Sequence, residues 1–323
     1  MFNTLGDYQG KPMIDVSGAK TYPTDGRIDM LTVAVSGGPG RDTYASQALG
    51  ALLHGKETVI PTEAYYPLDT TREDVTASNA VEMSSSQDVA VAAAMEQLDK
   101  PYKVHLLVGD VVPDSPAEAE LRKDDRIISV NGKKLDSDPA AAQIMSETVQ
   151  SSDSVDLVVE RGDKEVDVAL KPATIDGRKA IGISMKQDFE FPVDVAFNVE
   201  GIGGPSAGTM FALAIVDELT PGAMTGGKHV AGTGEIDPAG NVGPIGGARQ
   251  KVAASTAKGA KLFLSPADNC AEVIEAADQS KITVARIDTL DDAQNAVEQY
   301  AAGDTSNLKK CSAGGADNNE KGQ

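Results

Sequence analysis

A serine in the second half of the chain occupies a position suited to a nucleophile. Ser206 follows the glycine-rich residues 201–205 and comes just before residues 207–219, which are apolar on nearly every face and predict a buried helix. Backbone N–H groups and the helix dipole favour a negatively charged oxygen at such a position, so this loop is a candidate oxyanion hole. The same residues also fit a serine that only caps the helix, or a glycine loop that holds a phosphate group.

A serine hydroxyl needs a base before it can attack a carbonyl, and no histidine offers one by its pattern. His54, His105 and His229 lie outside any recognisable triad context, and His229 is expected in a solvated turn. The remaining base is a lysine, which works only as the neutral amine. Lowering a lysine pKa from about 10.4 to about 7 costs about 4.6 kcal/mol, so it requires an apolar pocket or a nearby positive charge. Lys251, on a helix predicted over 248–258, is the candidate, although a lysine on a helix, taken by itself, is most often a solvated surface residue.

Three linked motifs resemble the proteolytic domain of Lon proteases. They are Gly204-Pro205-Ser206-Ala207-Gly208, Thr233-Gly234-Glu235-Ile236, and Gly240, Val242 and Pro244-Ile245-Gly246-Gly247 followed by Lys251. The resemblance implies that Ser206 is the nucleophile, Lys251 the general base and Thr233 a hydroxyl that helps to hold the lysine amine. It also implies an active-site loop made of Gly204, Pro205, Ala207 and Gly208. One departure is Gly203, where Lon proteases often carry an acidic residue.

A second resemblance covers residues 101–172, which are similar to a PDZ domain. A Ser115-Pro116-Ala117 turn, Leu121 and the run from Asp125 to Gly132 occur in that family's order, and strands are predicted over 155–161 and 166–170. A generic β-rich insert with an Asn-Gly hairpin turn remains the alternative. If the family applies, this part of the chain is expected to capture a peptide terminus or strand by β-augmentation.

These resemblances predict an α+β fold, a Lon proteolytic domain of the ribosomal protein S5 domain 2-like type with a PDZ domain inserted or preceding. Residues 1–100 would form the first part of the proteolytic domain, 101–172 the PDZ domain, 173–302 the part with the catalytic dyad, and 303–323 a polar tail. The small polar residues 312–323 are expected to be disordered.

Local patterns predict the elements around the candidate site. Apolar residues indicate strands over 27–35 and 230–236, and a helix over 84–98 with Ser86 as its N-cap. A last helix over 290–301 is expected to begin after Thr289, with Asp292 in the capping-box position.

Composition narrows the classes of partner. The net charge of −20 argues against nucleic acid and anionic lipid surfaces. No apolar run approaches the length needed to span a bilayer, and no signal peptide is recognised, so the chain as given is expected to be soluble. The resemblance is to bacterial PDZ-containing Lon-like proteases that an N-terminal membrane helix holds outside the cytoplasm. That anchor is not found in this sequence, and Met1–Gly6 looks like the segment just after it, so the chain is expected to be either truncated or assigned a misplaced start.

The expected activity is a serine endopeptidase that needs no ATP. None of the Gly-Lys pairs lies in a phosphate-binding G-x-x-x-x-G-K-[ST] motif, so flexible or unfolded polypeptide segments are the expected substrates. No cofactor and no metal are expected, and the resemblance allows a homo-oligomer. Two alternatives remain open, an inactive protease fold that serves as a binding module and an enzyme that binds a small phosphate compound.

Cys270 and Cys311 are the only two cysteines. In a chain of this length they could be unrelated thiols. The extracytoplasmic location that the resemblance implies favours a disulfide, which would tie the C-terminal segment to the proteolytic domain.

Overall fold

The structure is a computed structural model that describes residues 2–4, 12–41, 43–54, 57–67, 69–175, 177–199 and 202–312. Its helices and sheets form an α+β fold, as predicted. The described chain divides into two compact units, the first formed by Met1–Leu98 with Val193–Gln323 and the second by Asp99–Pro192. The second unit is therefore inserted in sequence between the two parts of the first.

The secondary structure comprises short strands and helices of varied length. The strands are β1 (Phe2–Thr4), β2 (Ile14–Ser17), β3 (Arg27–Leu31), β4 (Lys103–Val111), β5 (Arg126–Val130), β6 (Lys133–Lys134), β7 (Val155–Arg161), β8 (Lys164–Leu170), β9 (Ala173–Ile175), β10 (Arg178–Ala180), β11 (Ile183–Glu190), β12 (Asp194–Phe197), β13 (His229–Gly232), β14 (Glu235–Ile236), β15 (Val242–Gly243), β16 (Leu262–Pro266) and β17 (Thr283–Ile287). The helices are α1 (Ala45–His54), α2 (Thr62–Tyr65), α3 (Arg72–Gln97), α4 (Ala141–Ser151), α5 (Gly208–Leu219), α6 (Ala248–Ala257), α7 (Cys270–Ala276) and α8 (Leu290–Ala302), with a 3-10 turn at Ala267–Asn269 before α7.

The first unit is built on a sheet with the strand order β1-β3-β13-β16-β17. β1 pairs antiparallel with β3, and the other neighbours are parallel. Parallel neighbours require crossover connections, and α6 and α7 supply them between β13, β16 and β17. The strand β16 is buried along its whole length, as expected for a strand covered on both faces. Thr233 directly follows β13, and Lys251 lies on the next crossover helix.

The second unit contains a sheet with the order β11-β4-β5-β7-β8, to which β6 adds beside β5. Its apolar core includes Leu106, Ile127, Leu135, Met145 and Leu157, each almost fully buried. The predicted boundary at residue 172 is too early, because β11 pairs with β4 from Ile183 to Glu190. This unit therefore reaches Pro192. A strand that closes the sheet from far along the chain leaves no local boundary signal.

Three predicted elements differ from those observed. α3 begins at Arg72, because Thr71 and Asp74 form a capping box there, so Ser86 is an interior helix residue and not an N-cap. The strand predicted over 27–35 ends at Leu31, and Val33 and Val35 are exposed. The run 230–236 is interrupted at Thr233-Gly234, where the backbone turns from β13 to β14.

Two further predictions can be judged from side-chain contacts. The cap of α8 is confirmed, because Thr289 Oγ1 accepts a hydrogen bond from the Asp292 N–H. The solvated turn predicted for His229 is wrong, because this residue begins β13 and its Nε2 lies 2.9 Å from a carboxylate oxygen of buried Asp29. A buried carboxylate needs partners, and the neighbouring strand supplies one.

Some expectations concern residues outside the described ranges. Disorder over 312–323 is one of them, since the description ends at residue 312. The segment Met1–Gly6 is another, of which only residues 2–4 are described, as β1. Among the described residues, no helix combines the length and apolar character needed to cross a membrane.

Candidate active site

The loop that carries Ser206 is held by helix α3. The Pro205 carbonyl oxygen accepts a hydrogen bond from Ser86 Oγ at 3.1 Å, and the Gly204 N–H donates to the Asn79 carbonyl at 3.2 Å. Gly204 has φ +86°, a conformation that other residues rarely adopt, so the loop needs glycine to make this turn. These contacts fix the backbone on the N-terminal side of the serine.

The Ser206 hydroxyl does not cap the following helix. Ala207 occupies the N-cap position of α5, and no side chain makes a capping hydrogen bond there. Instead, Ser206 Oγ lies 2.7 Å from Lys251 Nζ. This contact joins residues 45 positions apart in sequence.

Thr233 completes a small network of hydrogen bonds around the lysine amine. Its Oγ1 accepts from Lys251 Nζ at 2.9 Å and donates to the Ser206 carbonyl oxygen at 2.9 Å. The Gly234 N–H donates to the same carbonyl at 3.1 Å. The turn after β13 therefore holds both the amine and the backbone of the serine.

Close packing keeps that turn against the start of α5. Thr209 donates from its N–H to the Gly234 carbonyl and from Oγ1 to the Glu235 carbonyl, each at 3.1 Å. Gly234 has φ +155°, and a Cβ there would lie 2.6 Å from Thr209 Oγ1. A larger residue would separate Thr233 from the helix that follows the serine.

Lys251 is almost completely buried, with 3% of its surface exposed. Burial penalises the ammonium form and lowers the pKa of Lys251 from 10.5 to about 8, an effect that the Glu235 carboxylate partly opposes. The pKa of Glu235 is itself raised, by burial first and then by the carboxylate of Glu82. At pH 7, one unit below this pKa, about a tenth of the amine is therefore in the neutral form that a proton acceptor requires.

The loop leaves two backbone donors at the start of α5. The Gly208 N–H donates to the Pro205 carbonyl, the Gly204 N–H is used by Asn79, and proline has no N–H. Within the described part of the chain, the Ser206 and Ala207 N–H groups have no backbone acceptor. They can donate to an oxygen that gains negative charge beside Ser206.

The structure thus brings Ser206, Lys251 and Thr233 into mutual contact. It also joins Cys270 to Cys311 as a disulfide. Sequence reasoning missed the contributions of Asn79 and Ser86, which lie far from the serine along the chain and carry no local motif. Over the described ranges, no group of three or more histidine, cysteine, aspartate and glutamate side chains is placed to hold a metal ion.

Two family models match the chain. Residues 192–299 match the Lon protease (S16) C-terminal proteolytic domain, and residues 107–161 match a PDZ domain. The PDZ domain of an SdrC-like protein from Listeria monocytogenes is 27% identical over 25% of this chain and 85% of its own. The TM-score of this comparison is 0.22.

Several curated Lon proteases are similar to part of the chain. The Roseiflexus castenholzii protein is 30% identical over 142 residues, which are 43% of this chain and 18% of that protein. The Trichlorobacter lovleyi protein is 34% identical over 33% of this chain and 13% of its own length. The Azospirillum brasilense protein is 41% identical over 28% and 11%. The chain therefore spans less than a fifth of the length of these relatives.

Proposed function

We propose that this chain, which is similar to Lon-like proteases and carries a PDZ domain, is a serine endopeptidase. Its catalytic groups are proposed to be a Ser206–Lys251 dyad. The observation that carries this proposal is the 2.7 Å contact between Ser206 Oγ and a buried lysine amine of lowered pKa. A lysine can accept a proton only when it is neutral, and burial is one of the physical means of making it so.

The reaction follows from this geometry. Neutral Lys251 Nζ takes the proton of Ser206 Oγ, and the oxygen attacks the peptide carbonyl carbon. The carbonyl oxygen becomes an oxyanion that the N–H groups of Ser206 and Ala207 stabilise. The lysine ammonium then gives its proton to the departing amine, which leaves an acyl-enzyme ester. Lys251, neutral again, takes a proton from water, and the resulting hydroxide attacks the ester carbonyl. As the bond to Ser206 Oγ breaks, the lysine ammonium returns its proton to that oxygen, which releases the carboxylic acid product and restores both residues.

Thr233 has a supporting role in this mechanism. Its hydroxyl accepts one N–H of the amine and so orients the nitrogen toward Ser206. Because the same hydroxyl donates to the Ser206 carbonyl, it holds the amine and the nucleophile in a fixed position relative to each other.

The decisive experiment compares Ser206→Ala, Lys251→Ala and Lys251→Arg on a fluorogenic peptide library. All three should be folded and inactive. The two alanine variants lack the proposed nucleophile or the proposed base, and the guanidinium of Lys251→Arg keeps the charge but cannot release its proton in a protein. Lys258→Arg is the matched control and should keep full activity. Lys258 is exposed and lies at the C-cap of α6, the helix that carries Lys251. A fluorophosphonate probe should label the wild-type protein and not Ser206→Ala. Activity in Lys251→Arg would exclude the dyad, and an unlabelled, inactive wild type would favour an inactive binding module.

We further propose that hydrolysis needs no nucleotide and acts on flexible or unfolded segments. Support comes from the sequence, in which no Gly-Lys pair lies in a P-loop motif. The test is cleavage of an unfolded and a folded form of one protein, each with and without ATP. An absolute requirement for ATP would contradict the proposal.

The PDZ domain is proposed to hold the substrate by β-augmentation. Support comes from β11, which lies at one end of the strand order and, among the residues that the structure describes, pairs only with β4. An edge strand presents unpaired backbone groups to an incoming peptide. Hydrogen exchange of Ser206→Ala should show new protection in β11 when a binding peptide is added, and unchanged exchange there would contradict this role.

An extracytoplasmic location is also proposed, and the disulfide between Cys270 and Cys311 supports it. Disulfides persist in oxidising compartments and are rare in the cytosol. Fractionation of cells that produce the protein, with thiol labelling of each fraction, tests the proposal. Free thiols in a cytosolic protein would contradict it.

A further inference from the structure

A buried asparagine outside the dyad holds the backbone that leads to Lys251. Asn269 lies in the 3-10 turn before α7 and is 5% exposed. Its Oδ1 accepts from the Ile245 N–H and its Nδ2 donates to the Ile245 carbonyl, both at 2.9 Å. The side-chain amide therefore pairs with both backbone groups of one residue, as a neighbouring strand would.

Only one orientation of this amide satisfies both contacts, since the oxygen must face the N–H and the nitrogen the carbonyl. Nδ2 also donates to Glu272 Oε1, which fixes the second amide hydrogen. The Asn269 side chain is thus held by three hydrogen bonds, two to Ile245 and one to Glu272. Such a group is a rigid point of attachment for the Ile245 backbone.

The path from Ile245 to Lys251 is short and passes through two glycines. Gly246 and Gly247 follow Ile245, and Gly247, with φ +74°, is the N-cap residue of α6. The Lys251 N–H donates to the Gly247 carbonyl at 3.1 Å, in the first turn of that helix. A Cβ on Gly247 would lie 2.9 Å from Val33, so the turn is also tightly packed. Glycines do not hold a conformation by themselves, and an external contact is needed to fix where α6 begins.

We infer that Asn269 is a positioning residue for the lysine base: it holds the Ile245 backbone so that α6 presents Lys251 Nζ to Ser206. This inference rests on the proposed dyad and extends it to a residue that does not touch the reacting atoms. The lysine lies 2.7 Å from the serine hydroxyl, and a displacement of about 1 Å at such a contact can cost about a hundredfold in rate.

The main test uses Asn269→Asp, which has nearly the same shape. A carboxylate can still accept from the Ile245 N–H, but it cannot donate to the Ile245 carbonyl and it repels Glu272. Asn269→Ala serves as a second variant that removes both contacts without adding charge. Asn295→Asp is the matched control, because Asn295 is exposed on α8 and donates to Asp291. It introduces the same charge beside a carboxylate, far from Lys251 along the chain.

The expected result is a loss in kcat of about tenfold to a hundredfold in both Asn269 variants, with KM within about threefold of wild type. The acidic limb of the pH–rate profile should also move to higher pH, because a displaced amine is less buried and its pKa rises. The charged groups that act on Lys251 are Glu235 on β14 and, through it, Glu82 on α3, and both are unchanged in these variants. Asn269→Ala adds no charge, so its profile reports the position of the amine, whereas the new carboxylate of Asn269→Asp also raises the pKa of Lys251 directly. Asn295→Asp should match wild type in all three quantities.

A measurement that does not depend on activity separates this inference from the proposed function. The Lys251 amine is titrated by NMR in lysine-labelled wild type, Asn269→Ala, Asn269→Asp and Asn295→Asp, with Lys251→Arg used to assign its signal. A higher titration midpoint in Asn269→Ala, which adds no charge, supports positioning, even if the wild type neither cleaves peptides nor reacts with the fluorophosphonate probe. Coincident titrations of wild type and Asn269→Ala would overturn the inference, whatever the variant's thermal stability. Coincident pH–rate profiles in an active enzyme would do the same.

Discussion

Replacing Lys251 with methionine should abolish activity and yet stabilise the fold at neutral pH. Methionine fills a similar volume and carries no charge, so it removes the cost of burying an ammonium group. The pKa of Lys251 falls from 10.5 to about 8, and at about 1.36 kcal/mol per unit this corresponds to about 3 kcal/mol. The variant loses hydrogen bonds to Ser206 and Thr233, each of which contributes about 1 kcal/mol. The net gain in the free energy of unfolding is therefore about 1 to 2 kcal/mol.

The sign of the pH dependence follows from which state binds more protons. Between pH 8 and 10.5 the unfolded chain keeps the Lys251 proton and the folded protein has lost it, so the stability of the wild type rises with pH through this window. The methionine variant lacks this contribution. Its advantage should be fully present below about pH 8 and should be lost near pH 9. As the pH approaches 10.5 the variant should become less stable than wild type by about 2 kcal/mol, because only the two lost hydrogen bonds then count.

Urea denaturation at several pH values between 6 and 10 measures the difference directly. Lys258→Met, which changes an exposed lysine, should show no comparable dependence of its stability difference on pH. A Lys251→Met variant that is less stable than wild type at pH 6, by an amount that does not vary with pH, would refute the account of a buried, destabilising ammonium.

Four other outcomes are expected. The wild-type rate should rise about tenfold per pH unit below pH 8 and level off above it, because the neutral fraction of Lys251 sets the rate. A bell-shaped pH–rate profile with its maximum at acid pH would contradict this. Thr233→Val should lower kcat while the urea midpoint changes little, since the β-branched shape is kept and only the hydroxyl is lost; unchanged kcat would remove Thr233 from the mechanism. Ser86→Ala should lower kcat with a smaller effect on KM, because it removes the hydrogen bond to the Pro205 carbonyl next to Ser206. A change in KM alone would argue against that role. The intact mass of the oxidised protein should be lower than that of the reduced protein by about two hydrogens, and equal masses would contradict the Cys270–Cys311 disulfide. Reduction of this disulfide should lower the free energy of unfolding by about 3 to 4 kcal/mol, since the bond closes a loop with a sequence separation of 41 residues.

Much of the local structure could be predicted from residue patterns. The buried helix after Ser206 is observed as α5, one residue later than predicted, and Thr289 caps α8 as expected. The start of α3 was missed, because the polar residues of its first turns give no apolar periodicity, although Thr71 and Asp74 carried a capping signal. The end of β3 was misplaced because Val33 and Val35 have the residue type of a strand but no ladder partner among the described residues.

The sequence by itself determined which chemistry is available. A serine before a buried helix, a lysine after a glycine turn and a threonine at a strand end are matters of residue type and spacing, and so is the lack of a suitable histidine. Because the sequence contains only two cysteines, it also allowed only one possible intramolecular disulfide. These conclusions need no coordinates, because they depend on what each side chain can donate, accept or release.

Only the tertiary structure decided whether that chemistry is assembled. Burial of Lys251 depends on the packing of β3, β13 and α6 together, and its contact with Ser206 joins residues 45 positions apart. The support from Ser86 and Asn269 likewise comes from distant segments, across separations of 119 and 24 residues. A pKa shift and a hydrogen bond depend on which groups surround an atom in space, and neighbours in space need not be neighbours in sequence.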